Sequence, residues 1–184
     1  MSASSSPSES LQMFPAAELS LIDSFMLEQN IPRTHWLLGT GLTAGDIDKP
    51  IDFVSLNQLN IIYRNISRLS AYPDIGLRLG LKLNISRWGV LGFAMLSAST
   101  LADALLTGRR YLPLVHSRFD MSHTILEQDV VIHLRPTTPM PLLATGIVFS
   151  YEVALGSLIS NIGDMLSRPF TFDRIQLPYV RPQH

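Results

Sequence analysis

The chain has 184 residues, of which 46% are apolar and 16% are charged. That length suits one domain with one core, and the charged fraction is below the roughly 25% of an ordinary globular domain. We therefore expect a buried core and further surface buried against a partner. A net charge of -1 gives no positive field to hold a phosphate backbone, so this part of the protein is not expected to bind DNA by itself.

The absence of cysteine excludes disulfides, thiol catalysis and thiolate metal sites, and it fits a cytoplasmic location. The serine-rich start has no apolar segment typical of a signal peptide. We predict a disordered tail over residues 1–15 and a single domain over residues 16–184. The first helix is predicted over residues 19–29, because four apolar side chains fall on one helical face: Leu19, Ile22, Phe25 and Met26.

Further helices are predicted in the first half of the chain. A short helix over residues 34–42 is followed by a loop over residues 45–53. Ser55 caps the next helix, which runs to about residue 71. Its core-facing stripe has six members: Leu56, Leu59, Ile62, Tyr63, Ile66 and Leu69. Asp74 caps a helix that runs through Leu83.

The helical pattern continues to Pro113. Residues 88–97 are interpreted as a helix, although a strand also fits their apolar and small side chains. Thr100 and Asp103 form a capping-box-like pair at the start of a clearer helix. We expect Pro113 to end it.

Beyond Pro113 the hydrophobic period changes to two, which predicts an antiparallel hairpin with its turn at residues 127–129. A long helix from Pro141 to about residue 166 and a strand over residues 170–177 follow. The long helix presents a stripe made of Ala144, Ile147, Val148, Tyr151, Leu155, Leu158, Ile159 and Ile162. The predicted fold class is α+β, in which a helical N-terminal layer packs on a small antiparallel sheet with a long C-terminal helix.

The long helix has almost the length of a membrane span, but Glu152 lies near its centre, where a charge is costly. We therefore expect a buried helix packed on the sheet and no membrane contact. Three small residues on it, Gly146, Ser150 and Gly156, allow another backbone to approach closely. Contact within the domain and contact between two copies both fit.

No pattern of catalytic or metal-binding residues is evident. His116 and His123 have opposite parity in one predicted strand, so they and His133 do not converge as metal ligands. The glycines of GLRLG (76–80) and GVLG (89–92) lack the spacing and lysine of phosphate loops, which favours helix packing or a helix stop. We predict no enzyme, no cofactor and no bound metal.

Aromatic and polar side chains from several elements are candidates for a small-molecule pocket. The predicted ligand-binding residues are Arg78, Trp88, Phe93, Tyr111, His133 and Tyr151. For each of them, core packing or a surface ion pair is the alternative.

Three segments resemble the N-terminal sensor domain, called the arabinose-binding domain, of AraC-type bacterial transcription regulators. They are PDIGLRLG (73–80), GVLGFAMLS (89–97) and TLADAL (100–105), the last followed by Arg110 and Tyr111. The resemblance implies a homodimeric domain that senses a small-molecule effector and that contacts DNA only through a C-terminal helix-turn-helix domain, which is absent from this chain. Nothing in the sequence points to a sugar. Two alternatives stay open: a ligand-free protein-interaction or oligomerisation domain, and a small enzyme acting on an acyl or amino-acid derivative.

Overall fold

The computed structural model describes residues 13–49, 53–112, 118–127, 129–137 and 144–179. The helices in these ranges are α1 (Ala17–Glu28), α2 (Arg33–Trp36), α3 (Ala44–Ile47), α4 (Leu56–Leu69), α5 (Ile75–Leu81), α6 (Val90–Leu96), α7 (Leu101–Tyr111) and α8 (Ala144–Leu166). The strands are β1 (Met13–Pro15), β2 (Phe53–Ser55), β3 (Phe119–Leu126) and β4 (Asp129–Pro136). The predicted α+β class with a long C-terminal helix is confirmed.

Local capping signals set the starts of α4 and α7 as the sequence predicted, whereas Asp74 precedes α5 without a side-chain cap and pairs with Arg78. The Ser55 hydroxyl accepts a hydrogen bond from the Gln58 backbone N–H, and the Gln58 side-chain oxygen accepts one from the Ser55 N–H at 2.9 Å. This reciprocal capping box satisfies two backbone donors at the start of α4. The Thr100 hydroxyl caps α7 in the same way by accepting from the Asp103 N–H at 3.1 Å. Residues 88–97, where a strand also fitted, form the end of a 3-10 turn (Ile85–Trp88) and then α6.

The main core lies where α1, α2, α4, α5 and α8 meet. The predicted stripe of α4 points into it, except that Leu69 at the helix end is exposed. Trp36 is fully buried, and Tyr63 stacks against Phe149 of α8 with ring centroids 4.4 Å apart. A smaller apolar cluster forms between the 3-10 turn, α6 and α7 around Ile85, Leu91, Met95 and Ala104.

Glycines bring α5 and α8 into backbone contact. A Cβ atom added to Gly76 would lie 2.7 Å from a carboxylate oxygen of Glu152 and 2.9 Å from the Phe149 carbonyl oxygen. A Cβ atom on Gly80 would lie 2.9 Å from the Gly156 Cα and the Ser157 nitrogen. The packing role predicted for the glycines at 76–80 is thus confirmed, and Gly156 uses its small size for a contact within the domain.

This contact decides which face of α8 is buried. The deeply buried face consists mostly of small or polar residues: Gly146, Phe149, Ser150, Val153, Gly156, Ser157 and Asn161. The apolar stripe expected to face the core is only half-buried over Ile147 to Ile159, and Ile162 alone among its described members is fully buried. The stripe was misassigned because hydropathy does not register how closely two backbones approach.

α8 has the length and composition of a membrane-crossing helix over Gly146–Leu166, with a mean hydropathy of 1.2. Nearly half of that stretch is buried inside the domain. Its tight contact with α5 is typical of a core helix.

The predicted hairpin of β3 and β4 forms, but the alternation of buried and exposed side chains holds only away from the turn, because Ile125 and Val130 near the turn are exposed. Its register pairs Phe119 with Pro136 and Leu126 with Asp129, and Glu127 takes a positive φ of 54° at the turn. Phe119 and Met121 point inward and are buried.

Several segments differ from the sequence-based expectation. The loop predicted over residues 45–53 contains most of the short helix α3, and the helix predicted over residues 34–42 ends at Trp36. Residues 170–177 form no strand but a coil beside α8 and β4, in which Phe170 and Phe172 are half-buried while Ile175 and Leu177 are exposed. Met13–Pro15, placed in the predicted disordered tail, form β1 and pair antiparallel with β2 in front of α4. The remainder of that tail, residues 1–12, lies outside the described residues.

Candidate functional site

A groove of about 410 Å³ runs between β4, α8 and the C-terminal coil. We call it the C-terminal groove. Its apolar walls come from Ile132 and Leu134 of β4 and from Leu155 and Leu158 of α8. Residues 174–178, together with Phe172 and Tyr151, complete the lining. Its volume falls within the range of small-molecule sites, and most of its lining residues are apolar.

Tyr151 is held in the groove by two aromatic neighbours. Its ring lies edge-on to Phe119 of β3, with centroids 5.0 Å apart, and to Tyr179 of the coil at 6.2 Å. Burial raises the pKa of Tyr151 above its ordinary value. Burial, and then the charges of Glu152 and Tyr151, raise the pKa of Tyr179 to about 12. Both hydroxyls therefore stay protonated near neutral pH and remain hydrogen-bond donors.

Glu152, next to Tyr151 in α8, faces α5. Its carboxylate accepts hydrogen bonds from the backbone N–H groups of Gly76 and Leu77, in the first turn of that helix. Burial and the negative charge of Asp74 nevertheless raise the pKa of Glu152 to about 7. The Glu152 carboxylate thus points to the start of α5 and does not line the C-terminal groove. Among the described residues that line the groove, Arg174 is the one with a charged side chain.

A second, more open cleft of about 730 Å³ lies between the 3-10 turn, α8 and residues 167–170. We call it the polar cleft for the serines, Asp164 and Arg168 among its lining residues, although most of its lining surface is apolar. One carboxylate oxygen of Asp164 accepts a hydrogen bond from the Ile85 N–H at 3.0 Å and so joins α8 to the turn.

The structure brings Tyr151 alone of the six predicted ligand-binding residues to the C-terminal groove. Trp88 packs half-buried against the smaller apolar cluster. Phe93 on α6 is 63% exposed. Tyr111 is also exposed, with the Arg110 guanidinium 5.4 Å from its ring centroid.

The two polar candidates lie elsewhere. The Arg78 guanidinium donates a hydrogen bond to Asp74 at 2.8 Å and stacks over the Tyr72 ring. Arg78 thus forms a surface ion pair, which was the alternative to a role in ligand binding. His133 is exposed on β4, 3.5 Å from the Thr124 hydroxyl, and alternates with the groove residues Ile132 and Leu134. The six residues thus do not form one pocket, and a ligand role for the five outside the groove stays a prediction.

The main groove residues that sequence reasoning missed are Leu155, Leu158 and Arg174. The two leucines were assigned to the core-facing stripe, and Arg174 was placed in a strand that does not form. The sequence signal for the two leucines is the apolar stripe of α8, which is wider than the surface that the core covers. His116, one of the histidines weighed as a metal ligand, lies outside the described residues. Within the described ranges, no three histidine, aspartate or glutamate side chains gather as a metal site.

The family described as the arabinose-binding domain of AraC transcription regulators, N-terminal, matches residues 31–184. The chain belongs to this family. An ornithine utilization regulator of Pseudomonas aeruginosa is 25% identical over 173 residues, covering 94% of this chain and 50% of that protein. HTH-type transcriptional regulators of Mycobacterium bovis and Mycobacterium tuberculosis are each 26% identical over 128 residues, covering 69% of this chain and 37% of theirs.

The chain therefore spans at most about half the length of these relatives. The AraC family and the regulator names of its relatives make an enzyme unexpected and agree with the resemblance noted in the sequence.

Proposed function

We propose that this chain is the effector-sensing and dimerisation domain of a cytoplasmic AraC-family regulator. A small molecule in the C-terminal groove would control DNA binding by a separate part of the protein. Membership of the family and the regulator names of its relatives support this function.

The proposal rests on which elements of the structure form the walls of the groove. Two walls, β4 and α8, belong to the body of the domain, and the third is the coil of residues 172–178. The family is described as the N-terminal domain of its regulators, so in the proposed protein a DNA-binding portion would follow this coil. A ligand that contacts body and coil together would favour one position of the coil, and that population shift would reach the DNA-binding portion.

A thermal-shift screen of small organic compounds tests the proposal. A ligand at 100 times its dissociation constant stabilises the folded state by about 2.7 kcal/mol, which raises Tm by roughly 5–11 °C for a domain of this size. We expect hits with the unaltered chain and none with Leu155→Trp, which fills the groove. The matched control is Leu27→Trp, because Leu27 is 70% exposed on α1 and does not line the groove.

Two results would contradict the proposal. One is a screen without any stabilising compound, provided that Leu155→Trp and Leu27→Trp both fold. The other is a set of hits that Leu155→Trp still binds with unchanged affinity.

A ligand-free oligomerisation domain is the second candidate function. It is favoured by the apolar surface of α6, where Val90 is 86% exposed close to the exposed Phe93. A self-associating chain that no compound stabilises would favour this candidate over effector sensing.

A further inference from the structure

We propose that the C-terminal groove binds an organic anion with an apolar body, whose charged group lies at Arg174. This inference rests on the proposed function and names the chemical class of its effector. Two properties of the groove carry it: the charge of its lining and the apolar surface of its walls.

Arg174 gives the groove a positive charge that no described side chain neutralises. Among the described residues, no carboxylate lies within ion-pair distance of its guanidinium. Arg33 and Arg78 differ, because each donates to a nearby aspartate. A guanidinium presents a planar fork of donors that matches a carboxylate or a phosphate.

The described lining of the groove offers no partner for a cation. None of the lining residues that the structure describes is acidic. Glu152, which follows Tyr151 in the chain, already accepts two backbone hydrogen bonds from α5. An ammonium group in the groove would therefore lose water and meet a like charge at Arg174, whereas an anion would gain a partner there.

The rest of the groove favours an apolar body over a sugar. Ile132, Leu134, Leu155 and Leu158 present hydrocarbon along two walls. The Gln176 amide and the Tyr151 hydroxyl supply few polar groups for the several hydroxyls of a sugar. A carboxylate attached to an aliphatic or aromatic body fits both the charge and the walls.

The test compares matched sets of compounds that share a body and differ in one group. Phenylbutyrate, phenylbutanol and phenylbutylamine form one set, and the straight-chain acids, alcohols and amines of increasing length form the others. Binding is measured by calorimetry on the whole chain. Since Arg174 is exposed, we expect each bound acid to exceed its alcohol by about fivefold in affinity, and the amine to bind weakest.

Arg174→Gln should remove the preference for acid over alcohol, while Arg174→Lys should keep part of it. The matched control is Arg168→Gln, which neutralises an exposed arginine of the polar cleft. It should leave the preference intact. Leu155→Trp should abolish binding of acid and alcohol alike.

Equal affinities of acids and alcohols throughout the sets would overturn the inference, as would an acid preference that survives in Arg174→Gln. A neutral or cationic compound that Leu155→Trp excludes would refute the anion class and leave effector sensing standing. Anion binding lost in Arg168→Gln but kept in Leu155→Trp would move the site to the polar cleft and overturn both the groove and the inference.

Discussion

Gly80→Ala tests whether the fold depends on backbone contact between α5 and α8. The new Cβ atom would lie against the Val153 carbonyl oxygen, its nearest neighbour, and 2.9 Å from the Gly156 Cα and from the Ser157 nitrogen. Non-bonded carbon atoms prefer about 3.5–4.0 Å, so the two helices must separate by about 1 Å. All three atoms are backbone, and no side-chain rotation relieves the contact.

The expected loss of stability follows from two opposing terms. Overpacking a well-packed interface costs about 1–3 kcal/mol, while alanine in a helix is favoured over glycine by about 0.5–1 kcal/mol. The contact between α5 and α8 is the most extensive between described elements, and the added Cβ atom would clash with backbone atoms of α8. The cost should thus lie near its upper limit, leaving a net destabilisation of about 2 kcal/mol.

Thermal unfolding followed by circular dichroism measures this change. A loss of about 2 kcal/mol lowers Tm by roughly 4–8 °C in a domain of this size. Gly45→Ala is the matched control, because its Cβ would meet nothing closer than the Thr43 hydroxyl oxygen at 3.9 Å. It should leave Tm unchanged or slightly raised. If Gly80→Ala were as stable as Gly45→Ala, the proposed backbone contact would be refuted.

Two further variants test the electrostatic contacts. Burial raises the pKa of Glu152 from 4.5 to about 7, so the folded chain retains a proton that the unfolded chain releases, and stability should fall as pH rises across this interval. Glu152→Gln should flatten that profile in denaturant titrations from pH 4.5 to pH 7.5, and parallel profiles would contradict the assignment. Arg33 binds Asp23 through two 2.8 Å hydrogen bonds and Asp48 at 2.7 Å, so Arg33→Ala should lower Tm more at low salt than at high salt. Arg109→Ala, at an exposed position of α7, is the control; equal effects of both variants would speak against a role for the Arg33 contacts.

The site could be predicted only in part. Tyr151 was chosen for its aromatic ring and lies in the groove, but Phe93, chosen for the same reason, is exposed on α6. Arg78, chosen for its charge, pairs with Asp74 on another surface. A pocket is formed by residues far apart in sequence, here β4, α8 and the coil. The chemistry of single residues therefore did not reveal which of them meet.

The sequence by itself determined the starts of α4 and α7, the hairpin with its turn and the family. These features are encoded by residues close together in the sequence. Ser55 and Thr100 cap the two helices, the period-two pattern marks the strands, and the glycine spacing of α5 is part of the family pattern. Tertiary structure alone decided which face of α8 is buried and where Glu152 and Arg174 point. The reason is physical, because the close approach at Gly80 and Gly156 turns the small face inward and leaves the apolar stripe to form a groove.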